Sequence, residues 1–416
     1  MGETTGTFAK ITRKILSQRW WPYVVIVALW IIFASPYFFK GLIPFPSKYL
    51  VTFFPPWSAA YGMPVKNNAM PDVITQIYPW KRLTVDIWKQ GSVPLWNPNS
   101  FAGTTLAGNY QSAVFSPFNL LFFLTNQIDA WALLILLQPL MAGIFMFWFL
   151  KSLDRTDSGS LLGSMAFMFC GFLVVWMAYG TLGYALLYLP LCLFAIRREN
   201  SHPSWWNGVL LSLGIALSFV SGHFQTSLYV AGLVSCYLIF EALQNSSRTR
   251  GFSLVFFFVL GLLLASPQIL LSLDAYNQST RATSFFQQAG IPWQYLITAF
   301  APDFYGNPVT RNDWFGYYAE WASYIGVIPL LLAIFMLVRK KTPQAFFFLG
   351  TVIVTLVLAF ATPVSNLIFF LKIPILATSA GNRIIALTSF SLAVLAAFGF
   401  DDLKKDMEKR NARSVV

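Results

Sequence analysis

Asp72 and Gln76 lie four residues apart near the start of a stretch that runs to Gly91, and side chains with that spacing share one face of a helix. Apolar residues at positions 73, 74, 77, 80, 83, 87 and 88 follow a helical period and Gly91 ends it, so an interfacial amphipathic helix bent at Pro79 is expected. Two readings of Asp72 stand open: a carboxylate favoured by the positive end of the helix dipole, or a functional acid. Asp86 has Lys89 three residues on, which predicts an ordinary surface pair. From Val93 to Gln111 the chain is dense in turn formers and side-chain amides. There Asn97 and Asn109 could line a polar sugar site, and a packed turn-rich loop is the equal alternative.

A second group lies far along the chain. His223 with Gln225 sits in a turn between two apolar runs, Arg383 opens the last run, and Arg281, Asp303, Arg311, Asp313 and Glu320 occupy a polar stretch between them. Together they bring both signs of charge to where the phosphate of a lipid carrier would sit, and arginine suits phosphate. Each arginine could instead snorkel to lipid headgroups, and His223 could be a hydrogen-bonded helix cap. Asp303 and Asp313 with Asn307 and Asn312 are the candidate oxygen ligands for a divalent ion, Mg or Mn, although their spacing matches no defined loop.

These residues are islands in an apolar chain. Of 416 residues, 56% are hydrophobic and 11% charged, with a mean hydropathy of +0.60, against about 25% charged in soluble domains. Such a chain cannot cover a soluble surface without large exposed apolar patches, which excludes a soluble enzyme, a disordered scaffold and a nucleic-acid-binding domain. Cys170, Cys192 and Cys236 all lie inside apolar runs and form neither a disulfide framework nor a zinc pattern. The expectation is an all-α polytopic membrane protein with about ten transmembrane helices, near 21–42, 129–150, 159–179, 181–196, 205–222, 224–243, 252–273, 322–338, 344–361 and 383–400. The first run is too long for a cleavable signal peptide and is read as retained.

The net charge of +12 is mostly an orientation signal. With the N-terminus in the cytoplasm, Lys10, Arg13, Lys14 and Arg19 lie inside, as do Lys151, Arg155, Arg197, Arg198, Arg248, Arg250, Arg339, Lys340 and Lys341 and the basic tail over 401–416. Two long segments then face outside, 43–128 and 274–321, both rich in aromatics, Pro, Asn and Gln. Within the first, the apolar run 114–126 is too short to span and reads as a re-entrant or interfacial helix. Phosphate-loop, dinucleotide and zinc-protease motifs are absent. The span centres hold almost no ionisable groups, which argues against a pump or proton-coupled carrier.

An ordered set of fragments resembles the YfhO-like bacterial membrane proteins, which belong with the GT-C class of lipid-linked-sugar glycosyltransferases. The set comprises Asp72 with Gln76 and Pro79; Pro94 to Pro98 followed by Gly103 and Asn109; Ser116 to Asn119; Gly222-His223-Phe224-Gln225; Pro302 to Gly306; Glu320 to Gly326; and Asn382-Arg383. The resemblance implies an outward-facing enzyme of the bacterial cell membrane that moves a sugar from a polyprenyl-phosphate donor to a glycan or envelope-polymer acceptor, with inversion. It implies that Asp72 is the catalytic base, that Arg281, Arg383 and His223 meet the phosphate, and that Glu320 and Tyr324 orient the acceptor or support Asp72. The chemistry agrees, because an attacking hydroxyl needs a carboxylate within hydrogen-bond reach and a departing phosphate needs cations. Members of that family are usually longer, so a minimal catalytic core is one expectation and a truncated chain the other. The rival from a different class is a transporter or flippase of lipid-linked glycans, which one-sided long loops fit less well than inverted repeats would. A non-catalytic envelope-assembly partner is the third.

Overall fold

A computed structural model describes residues 20–64, 70–244, 247–283, 290–307, 315–339 and 342–414. Lys10, Arg13, Lys14, Arg19, Arg311, Asn312, Asp313, Lys340 and Lys341 lie outside the described residues. The chain is almost wholly helical: α1 (Trp21–Phe33), α2 (Tyr78–Lys89), α3 (Gln127–Ser152), α4 (Asp157–Met168), α5 (Gly171–Trp176), α6 (Leu182–Ser201), α7 (Trp205–Val220), α8 (Phe224–Gln244), α9 (Arg248–Leu264), α10 (Ser266–Asn277), α11 (Val327–Phe335), α12 (Pro343–Ala359) and α13 (Ile385–Ser414). The only paired strands among the described residues are β1 (Trp96–Asn97) and β2 (Thr104–Thr105), an antiparallel ribbon.

Two helices form the centre because their sequences are apolar on every side. One is α6, packed between α3, α7 and α8, with Tyr184 and Tyr188 fully buried. The other is α13, enclosed by α4, α11 and α12. Helices on the outside keep large apolar side chains exposed, such as Phe252, Phe256 and Leu263 on α9. An apolar outer surface of this extent fits a lipid surround and no aqueous one.

The expected ten spans meet a physical limit. Among the described residues three helices are long and apolar enough to cross a membrane alone, and up to six crossings result if each of three bent pairs counts as one. The run expected over 252–273 bends by 58° between α9 and α10, where Pro267 lacks the N–H that would continue the helix. The run over 159–179 bends by 42° at Cys170, where the Gly171 N–H donates to the Tyr324 carbonyl at 2.7 Å instead of to its own helix. The first run stops at Phe33 and restarts as a short turn holding Pro36, and 114–126 is a 3-10 turn and a four-residue helix after Pro117. Hydropathy alone does not reveal such breaks, since apolarity continues through them.

Central packing depends on glycine. A Cβ on Gly163 in α4 would sit 2.9 Å from the Ala393 carbonyl of α13, and one on Gly399 in α13 would collide with the Leu332 carbonyl of α11. Small residues let helix backbones approach where no hydrophobic force drives them together. Gly399→Ala should therefore cost about 1–3 kcal/mol, seen as a lower melting temperature in detergent. Gly251→Ala, whose nearest atom would be 3.9 Å away, should not; equal melts would show that α11 shifts freely.

Candidate functional site

The amphipathic helix forms as expected but begins as a wide π-helical turn, Val73–Ile77, before continuing as α2. Pro79 explains the widening, because it cannot donate to the Thr75 carbonyl and its ring crowds that oxygen. Such turns are rare, and they frequently occur at functional sites. Asp72 precedes the turn and its side chain caps no backbone N–H; Gln76 donates to its Oδ1 at 3.3 Å, so the pair expected from spacing does form. Val73, Ile74 and Ile77 are buried, which fixes Asp72 and Gln76 at the rim. Phe45, Tyr78 and Trp131 interlock edge to face at 4.9–5.8 Å and seat this segment on the start of α3.

The expected Asp86–Lys89 pair is replaced. Asp86 accepts from Arg82 Nε at 2.7 Å, one turn earlier, and the Lys89 ammonium lies 5.7 Å over the Phe123 ring. Both spacings suit a helix surface, and packing against Phe123 decides between them.

Arg383 anchors the second group. Its Nε and Nη2 each donate to Glu320 at 2.6 Å, a bidentate fork with both side chains about one-fifth exposed. Its remaining Nη1 reaches Gln225 Oε1 at 3.3 Å and His223 Nε2 at 3.5 Å, and the guanidinium lies 5.1 Å over the Trp176 ring. Gln225 Nε2 donates to the Tyr229 hydroxyl at 3.0 Å and the Ala380 carbonyl at 2.9 Å, leaving no polar atom of that amide idle. His223 Nδ1 accepts from the Thr226 backbone N–H at 3.3 Å and lies 2.7 Å from Thr226 Oγ1, and its Nε2 faces Arg383. Burial, with Arg383 and Arg281 adding repulsion, holds His223 neutral, well below the usual histidine range. It therefore orients Arg383 and carries no positive charge to a phosphate.

The two groups meet at Tyr179. Its hydroxyl lies within electrostatic reach of Asp72, Arg383 and Glu320, and the π-turn carrying Asp72 packs on the 177–179 turn. Arg281 is exposed, acts on His223, and forms no ion pair among the described residues. Of the sequence candidates, His223, Gln225, Glu320 and Arg383 are joined by direct contacts and Asp72 pairs with Gln76, with Tyr179 between the two groups and Arg281 acting on His223 through space. Tyr324 joins through its backbone carbonyl, which holds the break at Gly171. Asn97 accepts from Asn99 N and donates to Ser100 within the ribbon turn, and Asn109 caps the turn at Gln111. Trp176, Tyr179 and Tyr229 went unread because they sit inside apolar runs, and only Gly180 marked the turn. Tyr110, edge-on to His223 at 6.2 Å, went unread inside the amide-rich loop.

No group of three metal-ligating side chains occurs among the described residues. Asp303 uses one oxygen for Asn307 and the other for Tyr318, and its expected partners Asn312 and Asp313 lie outside the described residues. The divalent-ion reading thus rests on no assembled ligand set here.

Lys81 is the unexpected residue. It points inward from α2, fully buried, with its ammonium nitrogen 2.7 Å from Asn119 Oδ1, while Asn119 Nδ2 donates to the Ala113 and Val114 carbonyls. Desolvation pulls it down to about 7. The unfolded chain keeps that proton to about pH 10.4, so above about pH 7 the unfolded state binds more protons and stability rises with pH, by about 1.4 kcal/mol per unit. Melting temperatures should climb between about pH 7 and about pH 9 in the wild type and lose that slope in Lys81→Met; parallel slopes would mean that Lys81 stays charged in the fold.

The Glu320–Arg383 fork makes a second prediction. Glu320→Ala strands a mostly buried guanidinium and should cost about 3–5 kcal/mol, whereas Glu320→Met with Arg383→Met should cost far less. Additive losses in that double-mutant cycle would mean the two ions are not coupled. The reading of the cluster rests on its own geometry, since no protein-family model matches the chain and no curated protein is significantly similar to it.

Proposed function

We propose that the protein is a membrane glycosyltransferase of the GT-C type, taking a sugar from a polyprenyl-phosphate donor and giving it to an extracytoplasmic glycan or cell-envelope polymer. The observation that supports this reading is a rim carboxylate, Asp72, on the turn that packs on Tyr179, across from an oriented Glu320–Arg383 pair, with Arg281 a nearby cation that forms no ion pair among the described residues. In this reading the chain crosses the bacterial cell membrane about ten times, with α1, α6 and α7 counted as crossings, α4–α5 and α9–α10 as one each and α11 and α12 as two, both termini cytoplasmic and the cluster outside.

Asp72 takes the proton of the acceptor hydroxyl as its oxygen attacks the anomeric carbon. The bond from that carbon to the phosphate oxygen breaks, the electron pair leaves with the lipid phosphate, and the configuration inverts. Gln76 holds one oxygen of Asp72 and leaves the other for the hydroxyl. Arg383 has two of its three nitrogens committed to Glu320, so the departing charge falls to Arg281, with Arg383 setting the local field. His223 and Gln225 hold Arg383 in place, and Tyr179 borders the space between the two groups.

Purified protein in proteoliposomes, given labelled polyprenyl-phosphate sugars, should transfer or release sugar. Asp72→Asn should lower that rate by about 10²–10⁴ with donor binding kept, and Arg281→Ala should weaken donor binding by about tenfold or more. An EDTA arm reports on Mg or Mn. Donors left intact while a labelled lipid-linked sugar crosses the bilayer would replace the transferase by a transporter.

A further inference from the structure

A groove of about 830 Å³ runs between α8 and α12 and ends beside the charged cluster. Tyr229 and Ile384 line its upper end, and Gln244 and Pro343 its lower end. From Tyr229 to Gln244 is fifteen residues of helix, about 22 Å, most of the roughly 30 Å hydrocarbon thickness of a bilayer. Phe240 and Phe347 meet at 4.9 Å between the two helices. Gly232 on α8 and Gly350 on α12 both line it, and a Cβ on either would meet nothing within 4 Å. Two glycines facing the same open space make a slot that ordinary side chains would fill. Gly232, Cys236, Phe346 and Val354 are exposed along it, so the slot opens towards the lipid side of the bundle.

The upper end is wired to the cluster. The Tyr229 hydroxyl accepts from Gln225 and donates to the Gly381 carbonyl, while Gln225 accepts from Arg383. Ile384 is the residue after Arg383. A chain lying in the slot therefore has its upper end next to the charges and its body in hydrocarbon, which is the layout of a single apolar chain carrying one phosphate. A two-chain phospholipid matches a slot one helix gap wide less well.

We propose that this groove takes the isoprenoid chain of the lipid phosphate donor, which slides in sideways from the bilayer and brings its phosphate to the Arg383 and Arg281 end. This rests on the transferase reading and adds the route and seat of the donor. Because lipid tails are as apolar as the slot, selectivity comes from packing in a preformed space. Filling the space should therefore abolish it.

The test is photo-crosslinking in proteoliposomes with a polyprenyl phosphate carrying a diazirine in its tail, followed by peptide mapping. Crosslinks in wild-type protein should fall within 224–244 and 343–359, and unlabelled polyprenyl phosphate should compete them while excess phosphatidylglycerol does not. Gly232→Trp and Gly350→Trp should each cut the yield about tenfold or more, whereas Ile353→Trp, on an exposed part of α12 outside the groove, should not. Crosslinks mapping elsewhere, or equal competition by phosphatidylglycerol, overturn the proposal. Sugar transfer measured on the same samples separates the two ideas: transfer with crosslinks elsewhere removes only the groove, and groove crosslinks without transfer remove only the enzyme.

Discussion

The fork between Arg383 and Glu320 is the interaction on which the polar end of this protein's helical bundle depends. A guanidinium in apolar surroundings is tolerable only with a partner in good geometry and its other donors satisfied. Glu320 supplies the first condition through two bonds at 2.6 Å, and Gln225, His223 and the Trp176 ring supply the second. Those partners come from α8, from the turn before it, from α5 and from the segment ahead of α11. Satisfying one charge thus ties the start of α13 to four distant parts of the chain. The site is positioned because the ion must be satisfied.

A second constraint works on the backbone. Breaks in apolar helices are tolerated only where the freed groups find new partners inside protein. The break at Gly171 is closed by the Tyr324 carbonyl, and beyond it the chain turns at Tyr179, next to the cluster. The break before Pro267 turns α10 towards the 93–111 loop, where Gln268 donates to the Ala107 carbonyl. Irregular backbone and aromatic rings therefore gather around the Arg383 cluster, while ion pairs such as Arg155–Asp401 and Arg197–Glu241 hold the helices elsewhere.

Some of this was legible in order along the chain. Hydropathy gave an all-helical membrane architecture, because apolar runs of that length have no other stable home. The four-residue spacing of Asp72 and Gln76, the helical period after them and the stop at Gly91 all form in the structure. What hydropathy could not give was the number of crossings, since a bend leaves apolarity unchanged. Side-chain pairing was equally hidden: Asp86 had two basic neighbours at helical spacing and chose Arg82. Lys81 was likewise not singled out by the sequence, because its burial depends on which helix face packs inward.

The sequence by itself determined the class of environment, the helical character and the segments where polar chemistry concentrates, because these depend on local composition and period. Only the tertiary structure decided which of those polar residues meet. Asn97 and Asn109 hydrogen-bond within their own turns. Glu320, His223, Gln225 and Arg383 are up to 160 residues apart in number, and no local rule links them. They meet because a buried charge must find its partners wherever the folded chain brings them, and that is a property of three-dimensional packing.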